Sequence, residues 1–181
     1  MELLRRLACL VSAGAIVAFA PSASGQLATE AAIKAAFLYK FAGYIEWPPA
    51  AFPAPDTPLV IATLSGDDVA TELDTAVAGR NVNQRRVVVR RVREGEGLQG
   101  VHLLFIGRRE PNPRAVLRAA QQLGVLTVTE TSLDAGGAIN FVVADERVAF
   151  EVSLDAAERS GHKISSRMLA VARRVLPRSP S

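Results

Sequence analysis

Residues 136–175 read GGAINFVVADERVAFEVSLDAAERSGHKISSRMLAVARRV: two apolar runs around a short polar break, then a long amphipathic tail. Residues 138–143 and 147–154 are rich in Ile, Val and Phe, which suit a pleated, half-buried surface, and Asp145-Glu146 between them has the length of a tight hairpin connection. In the second run Val148, Phe150 and Val152 alternate with Ala149, Glu151 and Ser153, the period of a strand with one buried face. Ile164, Met168, Val171 and Val175 recur at steps of four, three and four. That spacing predicts one terminal helix over 155–175, lying across the hairpin.

Upstream, strand and helix signals take turns. Residues 59–64 are a continuous apolar run that stops at Ser65-Gly66-Asp67, and 68–78 then bring Val69, Leu73 and Val77 onto one helical stripe before Gly79. Residues 85–93, RRVVVRRVR, interleave valines with arginines, as a strand near a sheet edge does; 101–106 are mostly apolar, as a strand buried on both faces is. Pro113 falls in the first turn of a helix predicted over 111–122, Gly124 ends it, and 125–129 make another strand. The alternation predicts an α/β fold: a single three-layer domain whose mixed sheet has a parallel centre and a C-terminal antiparallel hairpin, with helices on both faces.

The helical pattern over 29–45 places Ile33, Phe37, Phe41 and Tyr44 on one stripe, with Thr29 as its N-cap. Trp47-Pro48-Pro49 stops it, and the stretch to Pro58, with five of the chain's ten prolines, reads as a stiff connection along the surface. Phe37, Tyr39, Phe41, Tyr44 and Trp47 crowd into a short segment of an aromatic-poor chain. They either cap the core or form a docking face. On the second reading Tyr39, Lys40, Tyr44 and Trp47 contact a partner, with Arg90 and Arg91 as a charged flank. The first reading needs no partner, and edge-strand arginines have a structural use of their own, keeping other chains off the sheet.

At the start of the chain Arg5 and Arg6 precede an almost wholly apolar run over 7–20, and Ala23-Ser24-Gly25 supplies small residues, the pattern of a secretory signal peptide cut before Gln26. The run falls short of the roughly 20 residues that a bilayer span requires. Residues 1–25 are therefore expected to be removed on export, leaving 26–181 as the domain with no membrane span. Of 21 basic and 18 acidic residues, the leader carries Arg5, Arg6 and Glu2; the remaining 19 against 17 is too mild an excess to imply nucleic acid. Cys9, the one cysteine of the chain, also lies in the leader.

G-x-S-x-G, G-x-x-x-x-G-K and H-E-x-x-H are absent, so the sequence points to no catalytic residue, and it predicts no metal or cofactor. His102 and His162 are too few for a His-rich metal site; His162 reads as a neutral surface or cap residue. Ser65 and Asp67, Arg108 and Arg109, and Glu130 follow strand ends, where open α/β sheets bind ligands. If those strands are parallel the loops converge, and the arginines can hold a carboxylate or phosphate or simply stay solvated.

Four blocks recur in a recognisable order: IKAAFLYKFAGYIEWP (33–48), VHLLFIG (101–107), LTVTE (126–130) ahead of GGAINFVV (136–143), and VAFEVSLDAAERSGHKISSRMLAVARRV (148–175). Together they resemble the YfiR and HmsC group of small exported proteins. The resemblance implies a periplasmic regulator that restrains an inner-membrane diguanylate cyclase by contacting its periplasmic sensor region, which keeps cyclic di-GMP and biofilm formation low. Other relatives serve sensor kinases or other membrane receptors. A small-ligand binding module serving a sensor kinase or transport system is the alternative, and a homodimer is compatible with the edge strand and the aromatic first helix. Two differences stand out: members that carry redox-active cysteines have no counterpart for them here, and His162 stands where an apolar residue is expected. With no thiol in residues 26–181, dithiothreitol should leave the melting temperature of that segment unchanged in a thermal scan with and without reductant.

Overall fold

A computed structural model describes residues 29–178, so the expected signal peptide over 1–25 lies outside the described residues. Thr29 caps α1 (Glu30–Tyr44), its hydroxyl accepting from the Ala32 amide at 3.1 Å. There follow β1 (Ile45–Glu46), a 3-10 turn (Pro49–Ala51), β2 (Leu59–Leu64), α2 (Asp67–Val77), β3 (Asn81–Val82), β4 (Arg85–Val92), β5 (Leu103–Ile106), α3 (Pro113–Gln122) and β6 (Leu126–Thr129). A second 3-10 turn (Leu133–Ala135) leads to β7 (Ile139–Ala144), β8 (Arg147–Ser153), α4 (Leu154–Arg159), β9 (Lys163–Ile164), α5 (Ser166–Leu169) and β10 (Arg174–Leu176).

The main sheet has the order β10-β8-β7-β6-β5-β2-β4-β3. Its centre, β4-β2-β5-β6-β7, is parallel throughout, and β7 and β8 form the expected antiparallel hairpin with Ala144 opposite Arg147. Asp145 and Glu146 both take positive φ, 50° and 58°, as a two-residue connection matched to strand twist requires. From β2 the chain crosses to β4 on one side, whereas from β5 it continues to β6 on the other. The winding therefore reverses between β2 and β5.

Side-chain alternation on β5 divides the interior in two. Leu103 and Phe105 face a core built with α1, α2 and the hairpin, where Phe41, Phe141 and Phe150 meet at ring separations of 4.8–5.8 Å; Leu104 and Ile106 face a smaller core closed by Leu117 and Ala120 of α3. Each fully buried Leu or Phe contributes roughly 1.5–3 kcal/mol. The domain is an α/β fold with helices on both faces of a mixed sheet, as the alternation predicted.

Three expectations need correction. The single terminal helix is instead α4, β9, α5 and β10. Gly161, at φ 81°, turns the chain after α4, Ser165 caps α5, and the intervening residues pair β9 with β1. Met168 is buried as the stripe required, but Val171 is exposed and Val175 belongs to β10, which runs parallel to β8 and extends the sheet beyond the hairpin. On α1 the buried face is Lys34, Ala35, Leu38, Phe41 and Ala42; Phe37 and Phe41 of the expected stripe pack against Phe141 and Phe150, but Tyr44 stays exposed at the end of the helix.

His162 is not at the surface. It is 1% exposed, its ring stands perpendicular to Trp47 at 5.1 Å, and neither ring nitrogen has a hydrogen-bond partner. Burial, with a smaller push from His102, lowers its pKa to about 4. His102 is lowered too, chiefly by burial, but it is fully partnered: Nδ1 accepts from the Val60 amide at 3.1 Å and Nε2 donates to the Ala51 carbonyl at 2.9 Å. A histidine whose folded pKa lies below its unfolded value binds its proton more tightly when unfolded. Its neutral form is thus compatible with folding above about pH 6.5, and stability falls as the pH drops from there toward 4. His162→Phe should remove about 2–3 kcal/mol of the loss between pH 7 and pH 4.5, read as the difference between wild-type and variant urea-unfolding free energies at the two pH values.

Candidate functional site

The loops that follow β2, β5 and β6 do converge at the carboxyl edge of the sheet. At its centre the Gly107 amide donates to the Leu64 carbonyl at 2.8 Å, and a Cβ built on Gly107 would lie 2.1 Å from the Ser65 carbonyl oxygen. Ser65 itself holds φ 55°, a strained value for a residue other than glycine. This contact fills the crevice between β2 and β5. Hollows remain on either side of it, among them one toward α1 and α2 and another toward α3.

The hollow toward α1 and α2 is lined by Glu30, Ala31, Lys34, Asp68, Arg108, Arg109 and Glu130. Lys34, its side chain 5% exposed, donates to both Glu30 and Glu130, of which Glu130 is 9% exposed. Arg108 joins them: its guanidinium reaches Glu30 at 2.8 Å and Glu130 at 3.4 Å, and its amide donates to Glu130 at 3.0 Å. The Lys34 ammonium beside it holds the Glu30 carboxyl below the usual range, with Arg108 adding to the effect; Glu130 above all raises Arg108. Two cations and two carboxylates thus close on one another. Glu30, nearly half exposed at the first turn of α1, is the carboxylate that an incoming anion could displace from Lys34 and Arg108.

Of the loop residues named from sequence, Arg108, Arg109 and Glu130 line this hollow. Ser65 and Asp67 line a neighbouring one beside Arg91, Val92 and Arg93. Lys34 was not singled out, although a lysine among Ala31, Ala35 and Leu38 on a helix face is a visible anomaly. Glu110 was missed as well; it is 5% exposed and accepts from the Ser65 hydroxyl at 2.9 Å and the Asn112 amide at 3.2 Å.

The residues named for partner contact are spread out. Lys40 and Tyr44 are exposed on α1, and Tyr39 is half-buried with its hydroxyl donating to the Asn81 carbonyl at 3.2 Å and Arg80 over its ring. Trp47 is turned inward, its indole N–H donating to the Ala42 carbonyl at 3.0 Å, between Phe52 and the two histidines. Arg90 and Arg91, adjacent on β4, point to opposite faces. Arg91 pairs with Asp74 of α2 at 2.7 Å, and Arg90 donates to the carbonyls of Gly97 and Gln99 on the α3 side.

Residues 95–100 read GEGLQG and so carry a G-x-G-x-x-G spacing, but no helix opens behind them to receive a pyrophosphate, so they make no dinucleotide loop. Among the described residues no group of three or more His, Asp or Glu is placed to hold a metal ion. Residues 31–173 match the family described as YfiR/HmsC-like. The chain belongs to that family. Membership supports a regulatory rather than catalytic protein, acting in cyclic di-GMP signalling in the periplasm. No curated protein matches the chain.

Removing one member of a buried charge pair leaves the other uncompensated, at a cost of about 3–5 kcal/mol, whereas replacing both can be nearly neutral. Lys34→Met should therefore destabilise this YfiR/HmsC-like protein, by less than that range because the Arg108 guanidinium and amide still face Glu130. Adding Glu130→Gln should recover most of it, with the coupling read from a double-mutant cycle of urea unfolding free energies.

Proposed function

We propose that this chain is exported, loses residues 1–25, and in the periplasm restrains an inner-membrane signalling partner, a diguanylate cyclase, so that cyclic di-GMP and biofilm formation stay low. The observation that carries the reading is the family match across 31–173, almost the whole of the described domain. Two further facts are compatible with it. Among the described residues no helix is long and apolar enough to cross a membrane, and the charges of the Lys34–Arg108 cluster are committed to each other instead of being arranged as nucleophile, base and orienter.

The contact face in this reading is the exposed side of α1, where Lys40 and Tyr44 stand free of the core and Tyr39 lies beside them. Tyrosine supplies contact area at little entropic cost, which suits it to interfaces. A second reading, a small-ligand module serving a sensor kinase or transport system, draws support from the hollow around Lys34 and Arg108.

Inhibition works by preferring the partner's inactive state, so it has an effect only where the partner exists. Deleting the gene should raise cyclic di-GMP and biofilm in cells that retain the cyclase, and the double deletion should match loss of the cyclase alone. Unchanged cyclic di-GMP after deletion would remove the cyclase reading. Tyr44→Ala should reproduce the deletion's rise in cyclic di-GMP while its unfolding free energy stays within about 0.5 kcal/mol of wild type, the range of ordinary surface substitutions. A variant that folds and still represses moves the contact off this face.

A further inference from the structure

The second hollow at the carboxyl edge has a different chemistry. It lies between α3 and the loop after β4, has a volume of about 480 Å³, and is floored by Leu64 and Val92 with Leu98, Val116 and Leu123 along its sides. That volume is within the range of small-molecule sites, roughly 300–1,000 Å³. Its loop wall is held in place. Leu98 is buried in the smaller core, Arg90 ties down the carbonyls of Gly97 and Gln99, and Glu96 accepts from the Arg93 amide at 3.2 Å.

At one end of this apolar hollow sits Glu110. Its two oxygens accept one hydrogen bond each, from the Ser65 hydroxyl and the Asn112 amide, and among the described residues no lysine, arginine or histidine forms an ion pair with it. A carboxylate bonds as many as four donors, so two acceptor positions are left over in a place largely withdrawn from water. Glu94 and Glu96 stand at the rim, and Arg93 is the one cation among the lining residues. Excess negative charge argues against a phosphate or carboxylate ligand here, in spite of the neighbouring glycine-rich spacing. A buried acceptor with capacity to spare calls for a cation that also donates hydrogen bonds.

We propose that this hollow binds a small amphipathic cation, an ammonium group on a compact apolar body: the ammonium meets Glu110, and the body lies along Leu64, Leu98 and Val116. The site is separate from the α1 face and from the Lys34 cluster, so it stands whether or not the protein restrains a cyclase. Phenethylammonium is a suitable probe, with 2-phenylethanol and 3-phenylpropionate as neutral and anionic counterparts of similar size.

In calorimetric titration of the purified protein, phenethylammonium should bind at least tenfold more tightly than phenylethanol, and phenylpropionate should not bind. Glu110→Gln should abolish the preference for the amine over the alcohol. Ala119→Phe, an exposed position on the α3 wall, should block both ligands without lowering the melting temperature, and it keeps the test decisive if Glu110→Gln does not fold. Equal affinity for the three probes, no binding of the amine, or amine binding that persists in Ala119→Phe would each overturn the proposal.

Discussion

At Gly107 there is no room for a side chain: the Ser65 carbonyl oxygen occupies the place that a Cβ would take. This contact brings the loop after β5 onto the loop after β2 where the sheet's winding reverses, which in open α/β sheets is the usual place for a ligand. Here the protein itself fills the place. Arg108 is sent to one side, toward α1 and Glu130, and Glu110 to the other, toward α3. The Lys34–Arg108 cluster and the Glu110 hollow lie on the two sides of that division, and Ser65 holds a strained backbone at it.

The two sides settle their electrostatics differently. Toward α1, Lys34 and Arg108 face Glu30 and Glu130, and opposite charges in close contact leave little local field. Toward α3, a carboxylate is stabilised by a hydroxyl and an amide without a counter-charge. Dipoles can hold a buried anion, but they do not cancel its potential. The first arrangement suits a latch that opens only to a competitor, the second a standing attraction for positive charge.

How much of this was legible in the sequence depended on the range of the interaction. The hairpin, the buried β5 strand and the Val- and Arg-rich β4 strand are written within a few consecutive residues, and each emerged where it was read. The terminal helix did not, because the stretch predicted for it, 155–175, contains Gly161 and Ser165, local stop and start signals that outweigh the periodicity. Lys34 could not be understood from its own surroundings alone, since one of its partners, Glu130, is 96 positions away. His162 reads as polar and therefore exposed; only its burial beside Trp47, brought from the far end of α1, shows otherwise. Glu110, between two arginines and a proline, looks like any loop acid until the Ser65 loop closes on it.

The parallel pairing of β10 with β8 has a consequence for the order in which the fold can be completed. Arg174, Val175 and Leu176 cover the outer edge of Glu151–Ser153, and they come more than twenty residues after it. During vectorial synthesis the hairpin can form while its outer main-chain groups are still unpaired, a state open to pairing with any other extended chain. Sealing that edge falls to the last strand to emerge, so a nascent chain arrested ahead of Arg174 would carry a finished core and an adhesive border.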